Sequence, residues 1–218
     1  MLDPGCDFCA EFNGLPDHLY SELVGRGGPA RVVLTEGNLV AVPSLGEILP
    51  YHLLIIPTYH ITSILNLLPN DRASFARLVR HICRAFKAAF GEKPVLFEHG
   101  DPKGTDVFNG QCVSHAHFHV LPRHVDLLSI VRSERPLLTS VALDDIGAVT
   151  DESYVAVMDD DEVLHLFSSK DAPRQYLRAL YGKLVGVADA EWWRARSSGA
   201  TTAASTEKLR TLFRGHND

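Results

Sequence analysis

The sequence contains no apolar stretch that could span a lipid bilayer and few residues that could form covalent cross-links. Its most apolar segment, residues 48–57, is short and is interrupted by Pro50 and His52, whereas a spanning helix needs roughly 20 apolar residues. Cysteine is scarce, with 4 residues in a chain of 218, and this excludes a disulfide scaffold. The N-terminus lacks the basic and then apolar pattern of a signal peptide. We therefore expect a cytoplasmic protein that does not contact a membrane.

Basic residues are also few, with 21 Lys and Arg against 27 Asp and Glu, which gives a formal net charge of −6. This balance argues against extensive contact with nucleic acid, which requires clustered positive charge to neutralise phosphates. Hydrophobic residues make up 45% of the sequence, enough to form a core and to exclude wholesale disorder. The length suits one domain with a sizeable appendage.

Hydrophobic periodicity predicts strands and helices on both sides of residue 124. Before it, strands are predicted at residues 31–34, 38–43, 52–57, 95–97 and 113–121, and a helix runs from a cap at Asn70 or Asp71 to Gly91. After it, the pattern predicts a hairpin at residues 154–167, a helix ended by Gly186, a mobile linker at residues 197–205 and a short helix capped by Thr206. We therefore divide the chain into a domain at residues 1–124 and a C-terminal extension at residues 125–218.

Three histidines, His115, His117 and His119, alternate with apolar residues in the predicted strand at 113–121. In a strand they would line one face, each about 7 Å from the next. Imidazoles titrate near neutral pH and can serve as nucleophile, phosphate-binding cation or metal ligand. The pattern favours a functional site over three partly exposed histidines on a solvated strand.

Other histidines of the sequence have no such context. We interpret His52, His81, His124 and His165 as ordinary surface or core residues. The pair Cys6 and Cys9 has the C-x-x-C spacing, which in a reducing compartment indicates half of a metal site or a redox motif. The alternative is two free thiols in a loose N-terminus.

Three segments together resemble the histidine triad (HIT) superfamily. Residues 110–123, GQCVSHAHFHVLPR, are similar to its His-φ-His-φ-His-φ-φ signature, where φ is apolar. Residues 50–60, PYHLLIIPTYH, are similar to its P-x-H-x-L-φ-I-P-x-x-H strand. Residues 6–9, CDFC, are similar to the opening of its zinc-carrying members. The elements follow the family's order up to about residue 124. The resemblance implies an α+β, HIT-like fold with an antiparallel sheet and flanking helices, usually as a homodimer.

The resemblance also implies the chemistry of the site. His117 would attack the α-phosphorus of a nucleotide to form a nucleotidyl-histidine intermediate, and His119 would hold the phosphate. The turn before them, with Gly110, Gln111 and the backbone N–H of Cys112, would contact the α-phosphate. His99 lies near the position of a substrate-binding Asn or Gln in relatives, and is either a fourth active-site imidazole or an ordinary loop residue.

Zinc is the cofactor that the resemblance implies. In zinc-carrying members, the histidine after the I-P-x-x segment and the first histidine of the triad complete the site. Here these are His60 and His115, which would join Cys6 and Cys9 around a structural zinc ion.

The sequence departs from the family pattern in the region that would contact the sugar. Relatives often carry an acid there, whereas this chain has Ser44 near that position and Glu47 displaced from it. The identity of the nucleoside therefore stays open.

The extension is similar to parts of longer bacterial HIT proteins and of the hexose-1-phosphate uridylyltransferase-like branch. Arg174 or Arg178 could reach a substrate phosphate, or could belong to a solvated helix face. We expect Trp192 and Trp193 to anchor the extension on the core.

Our interpretation is a nucleotide hydrolase or nucleotidyltransferase that acts on a nucleotide or nucleotide conjugate. The triad does not separate transfer to water from transfer to a second substrate. A dinucleoside polyphosphate phosphorylase and a non-catalytic nucleotide-binding protein are alternatives on the same fold. A third is a hydrolase that binds a catalytic metal through the three histidines, although alternating residues on a flat strand converge poorly on one ion.

Overall fold

The computed structural model describes residues 3, 5–25, 30–104, 114–188, 190–191 and 198–215. Within them the helices are α1 (Asp7–Phe12), α2 (Leu19–Val24), α3 (Pro69–Phe90), α4 (Leu127–Glu134), α5 (Tyr176–Val185) and α6 (Gly199–Arg214). The strands are β1 (Leu34–Glu36), β2 (Leu39–Pro43), β3 (Leu53–Pro57), β4 (Val95–Gly100), β5 (Phe118–Leu121), β6 (Leu137–Ala142), β7 (Tyr154–Met158) and β8 (Val163–Ser168). None of the helices described here combines the length and the apolar composition needed to cross a bilayer.

The described strands form one antiparallel sheet in the order β1-β2-β3-β5-β4-β7-β8-β6. Helices flank it, so the predicted α+β class with an antiparallel sheet and flanking helices is confirmed. Strand β7 of the extension pairs with β4 from Leu96 opposite Met158 to Gly100 opposite Tyr154. The boundary drawn at residue 124 thus falls between strands of one sheet, and the division into two domains stays a prediction.

The alternation of side chains along β3 shows how the core is arranged. Leu53 and Ile55 pack with Phe75 of α3 on one face of the sheet. Leu54 and Ile56 face the opposite side, where they pack with α1. Helix α5 covers the neighbouring part of this second face, over β4 and β7. The candidate histidines lie on this second face.

The predicted start of the first strand is wrong by three residues, because β1 begins at Leu34 rather than at Arg31. The guanidinium of Arg31 is buried and donates hydrogen bonds to the Glu11 carboxylate at 2.7 Å and to the Pro43 carbonyl oxygen at 2.6 Å. Side-chain bonds therefore anchor this segment ahead of the strand.

The long helix α3 buries the apolar face predicted for it, except for the exposed Phe90, and ends where expected. Gly91 follows it in the left-handed conformation, with φ of 81°, which glycine adopts without steric cost. The predicted cap at Asn70 or Asp71 is wrong, because Leu68 is the N-cap residue and Pro69 occupies the first helical position. The Asp71 carboxylate accepts hydrogen bonds from Asn38 instead.

The predicted mobile linker and the cap at Thr206 are also wrong. Helix α6 begins at Gly199, its N-cap Ser198 accepts a hydrogen bond from Thr201 N, and Thr206 is buried inside the helix. Its small residues allow close packing, since a Cβ at Gly199 would lie 2.3 Å from the carbonyl oxygen of Leu23. Residue 197 and the two tryptophans at 192 and 193 lie outside the described residues.

A buried carboxyl group lies at the centre of the sheet. Glu98 on β4 is fully buried and accepts a hydrogen bond from Ile64 N at 2.9 Å and another from the Tyr154 hydroxyl. The Tyr154 hydroxyl also lies 2.7 Å from Ser63 Oγ. Burial raises the pKa of Glu98 from 4.5 to about 8, against the opposing effect of these hydrogen bonds.

We predict that Glu98 makes the folded state less stable as pH rises from about 4.5 to 8. In this window the folded chain retains the Glu98 proton and the unfolded chain releases it, so the free energy of unfolding falls by up to about 1.4 kcal/mol per pH unit. Glu98→Gln keeps a neutral group with one acceptor and should remove this slope. Urea unfolding between pH 5 and 8 measures it.

The exposed acid Glu152 offers a matched control. Glu152→Gln should retain the slope of the wild type. An equal slope in the wild type and Glu98→Gln would contradict a protonated Glu98.

Candidate active site and metal site

The segment before β5 brings two of the three histidines to the site without being part of a strand. Strand β5 contains only His119, whereas His115 and His117 lie in a bend and an irregular segment. The predicted strand is therefore wrong at residues 114–117. This segment is held by a hydrogen bond from Ala116 N to the Ile61 carbonyl oxygen at 2.6 Å. The ring centroids of His117 and His119 are 4.9 Å apart, closer than strand spacing gives.

A backbone carbonyl determines which nitrogen of His117 carries the proton. Its Nδ1 lies 2.8 Å from the carbonyl oxygen of His115, which can only accept, so this bond assigns the proton to Nδ1. In the neutral ring, Nε2 is then unprotonated and nucleophilic. Burial, opposed in part by this carbonyl, lowers the pKa of His117 and favours the neutral ring.

His119 forms a buried pair with His52. The Nε2 atom of His52 lies 2.9 Å from Nδ1 of His119, and Ile48 N donates to Nδ1 of His52 at 3.3 Å. His52 therefore carries its proton on Nε2 and donates it to His119 Nδ1, so that the proton of neutral His119 is on Nε2. Burial holds the pKa of both histidines well below their usual range.

Sequence reasoning missed His52, which it interpreted as an ordinary histidine. The signal was present at the third position of the P-x-H-x-L segment, within the resemblance to the family. What the sequence pattern does not give is the partner, since His52 and His119 are 67 residues apart.

Arg178 on α5 also lies at the site, and the alternative of a solvated helix face is wrong for this residue. Only 2% of it is exposed. Its Nη2 donates to the Gly46 carbonyl oxygen at 2.6 Å and to that of Ala190 at 2.8 Å, and its Nε donates to the latter at 3.1 Å. Arg174, by contrast, is exposed. After burial, the charge of Arg178 contributes to lowering the pKa of His117.

A cavity of about 250 Å³ opens beside the histidines. Residues from the N-terminal segment, from the turn after β2 and from the triad line it, among them Phe8, Ser44, His117, His119 and Arg178. Ser44, near the position where relatives carry an acid, thus lines the same cavity as His117. The carboxylate of Glu47 accepts a hydrogen bond from Ser205 of α6 at 2.8 Å.

His99 lies in β4, opposite Val155 of β7, and is buried. It lines a second, small cavity that shares His117, His119 and Arg178 with the first one. Burial lowers the pKa of His99 to about 4, so the ring is neutral at pH 7. This position favours an active-site imidazole over an ordinary loop residue. The predicted phosphate-binding residues Gly110, Gln111 and Cys112 lie outside the described residues.

Four predicted ligands converge at the other end of the triad. The ligand atoms of Cys6, Cys9, His60 and His115 all lie within 4.8 Å of one another. Cys6 Sγ is 3.3 Å and Cys9 Sγ 3.7 Å from His115 Nδ1, and Cys9 Sγ is 3.5 Å from His60 Nδ1. Ligands about 2.0–2.3 Å from a tetrahedral ion lie roughly 3.3–3.8 Å apart. The four residues therefore form a cluster that is able to hold zinc.

A hydrogen bond behind His115 and a carboxylate near His60 favour the required tautomers. His115 Nε2 lies 2.9 Å from the Pro57 carbonyl oxygen, so the proton is on Nε2 and Nδ1 can bind the ion. His60 Nε2 lies 3.7 Å from a carboxylate oxygen of Asp3, which favours the same tautomer. Two thiolates and two imidazoles would make a closed, structural zinc site.

We predict that the protein purified without chelator contains about one zinc ion per chain and that Cys6→Ser and Cys9→Ser abolish binding. The zinc ion would attach the N-terminal segment to the triad, so its loss should also lower the melting temperature. Elemental analysis and thermal unfolding provide the measurements.

Cys83 provides the control, because it is half-buried in α3 and outside the ligand cluster. Cys83→Ser should retain zinc. Wild-type protein without metal, or with metal that survives the loss of Cys6 and Cys9, would contradict the assignment.

Comparison with known proteins identifies the region that contains the triad. Residues 26–126 match the model of the HIT domain family. Protein HitA of Neisseria gonorrhoeae is 24% identical over 106 residues, which are 47% of this chain and 92% of that protein.

Two solved structures of similar proteins each cover a little more than half of this chain. A HIT family hydrolase from Legionella pneumophila is 30% identical, over 54% of this chain and 91% of that chain, with a TM-score of 0.37. A zinc-bound histidine triad family protein from Mycobacterium smegmatis is 22% identical, over 56% of this chain and 77% of that chain, with a TM-score of 0.41. The match to the family model at residues 26–126 is a HIT domain, and through it the chain belongs to the histidine triad family.

Proposed function

We propose that the protein transfers nucleotidyl groups, to water or to a second acceptor, through a covalent intermediate on His117. The observation that carries this proposal is the bond between His117 Nδ1 and the His115 carbonyl oxygen, at 2.8 Å. It keeps the lone pair on Nε2 of a ring that lines a cavity. A neutral imidazole of this kind is a competent nucleophile at pH 7.

In the first step, the Nε2 lone pair of His117 attacks the α-phosphorus of a nucleotide. The P–N bond forms as the bond from phosphorus to the leaving group breaks, and the leaving group takes the electron pair. The ring becomes positively charged, and its Nδ1–H donates to the His115 carbonyl oxygen, which stabilises the charge. In the second step, an oxygen of the acceptor attacks phosphorus and the P–N electron pair returns to Nε2. When the acceptor is water, its proton is released to solvent.

His119 supports both steps by donating from Nε2–H to a phosphoryl oxygen. His52 holds this tautomer through the bond of 2.9 Å to His119 Nδ1. We infer that His99 contacts the substrate from the second cavity, beside the same two histidines. Gly110, Gln111 and Cys112 remain proposed phosphate contacts on the resemblance alone.

Zinc would have a structural role in this scheme. Cys6, Cys9, His60 and His115 would hold it and fix His115, whose carbonyl oxygen orients His117. This assignment argues against a hydrolase with three histidines around a catalytic metal, because His115 Nδ1 faces two thiols.

We predict that His117→Ala reduces turnover by more than about a hundredfold, because the covalent step is lost, while nucleoside monophosphate still binds. A panel of dinucleoside polyphosphates, nucleoside phosphoramidates and nucleotide sugars, with and without phosphate, measures turnover, and calorimetry measures binding. The exposed histidine His124 is the matched control, and His124→Ala should retain activity.

The intermediate itself can be trapped with a substrate labelled at the α-phosphate. The label should remain on the wild-type protein at alkaline pH and be lost in acid, as a phosphorus–nitrogen bond requires. Activity above a tenth of wild type in His117→Ala would remove His117 from this role. Binding without turnover of any substrate by the wild type would favour a non-catalytic nucleotide-binding protein.

We predict that His52 acts by positioning His119. His52→Gln keeps a side-chain N–H that can donate to His119 Nδ1, whereas His52→Leu fills similar space without a donor. The leucine variant should lose at least about tenfold more kcat than the glutamine variant, with KM less affected. Equal loss in two variants that unfold at the same temperature would show that the hydrogen bond is unimportant.

A further inference from the structure

The C-terminal extension contributes a cation to the histidine cavities. Arg178 of α5 is the residue of the extension that lines both cavities together with His117 and His119. The larger cavity includes Ser44 and the smaller one includes His99 and Gln175. The shared lining places the guanidinium where the two cavities meet the proposed nucleophile.

Hydrogen bonds fix the position of this guanidinium. The bonds to the carbonyl oxygens of Gly46 and Ala190 hold it between the turn after β2 and the segment after α5. The helix is anchored in turn by the Tyr181 hydroxyl, which donates to the Arg123 carbonyl oxygen at 2.9 Å. Little side-chain entropy therefore remains to be lost when a ligand binds.

Arg178 carries a permanent positive charge, whereas the histidines around it do not. An arginine stays protonated in proteins, whereas buried imidazoles are neutral at pH 7. Carbonyl oxygens orient the guanidinium but carry no formal charge. Among buried groups, a preorganised positive charge strongly stabilises negative charge that develops beside it.

Substrates of the proposed reaction differ in the charge of the group that leaves. When a P–O bond to a phosphate or polyphosphate breaks, the leaving group departs with an added negative charge. When a P–N bond to an amine breaks, the leaving group must gain a proton and departs without negative charge. A fixed cation stabilises the first transition state and contributes little to the second.

We propose that Arg178 forms a subsite for an anionic leaving group and selects substrates in which a phosphate departs, such as nucleoside polyphosphates and nucleotide sugars, over nucleoside phosphoramidates. The inference rests on the proposed function of His117, since it names the substrate class of the same site. Arg178 is thus a specificity-determining residue supplied by the extension.

The test compares two substrates that share a nucleoside and an α-phosphate, a dinucleoside tetraphosphate and a nucleoside phosphoramidate of a simple amine. Arg178→Gln removes the charge but keeps N–H donors for the Gly46 and Ala190 carbonyl oxygens. It should lower kcat/KM for the tetraphosphate by about a hundredfold and for the phosphoramidate by less than about threefold. Arg178→Lys, which keeps a charge, should recover part of the loss.

The exposed Arg174, four residues earlier, is the matched control for removal of a positive charge. Arg174→Gln should leave both rates unchanged. Equal losses on the two substrates in Arg178→Gln, or no loss on either, would overturn the proposal and leave a structural role only.

A binding experiment separates failure of this proposal from failure of the proposed function. Wild-type protein should bind a nucleoside diphosphate more tightly than the monophosphate, and Arg178→Gln should lose this preference. If the wild type turns over neither substrate, the nucleotidyl-transfer function fails, and the binding ratio still decides whether Arg178 forms an anion subsite. An unchanged ratio would overturn the subsite.

Discussion

His115 connects the metal site to the proposed nucleophile through two different parts of one residue. Its ring places Nδ1 beside the thiols of Cys6 and Cys9, and Nε2 against the carbonyl oxygen of Pro57. Its own carbonyl oxygen accepts the hydrogen bond from Nδ1 of His117. A backbone shift that moved this carbonyl would also displace the ring from the ligand cluster. The protonation pattern of the proposed catalytic ring therefore depends on the packing of the residue two positions before it.

Burial and hydrogen bonding act together on the triad. Burial disfavours a charged imidazole, and it is the main cause of the lowered pKa of His117 and His119. Hydrogen bonds then select one tautomer of each neutral ring, through a backbone carbonyl for His117 and through His52 for His119. Neither effect is sufficient alone, because a neutral ring with the wrong tautomer would present a donor where the nucleophile is required.

Local patterns in the sequence predicted most of the elements, and the resemblance to the family predicted the metal ligands. In β2, β3 and α3, apolar residues recur at regular intervals because each element repeatedly contacts the core along its length. The predicted start of α6 failed because Gly199 and its neighbours have the small, polar composition of a linker. Close packing on Leu23 explains this composition, and such packing leaves no periodic signal in the sequence.

The residues that sequence reasoning missed or misassigned act across long distances in the chain. His52 bonds to a residue 67 positions away, and Arg178 to the Gly46 carbonyl 132 positions away. Spacing along an element carries no information on such pairs. An arginine on an amphipathic helix has the same sequence signature whether it faces solvent or a cavity. The sequence therefore did not distinguish these two orientations for Arg178.

Strand β7 and helix α5 of the extension both contribute to the site, and the pairing of β7 with β4 positions both of them. Strand β7 pairs with β4 and buries Phe97 and His99 on the strand that borders β5. The same pairing fixes the part of the sheet on which α5 packs, through Leu177 and Tyr181. Since α5 carries Arg178, the strand pairing that completes the wall of the cavity also determines where the guanidinium lies. The site is therefore assembled from both sides of residue 124, and its charge depends on how the sheet is extended.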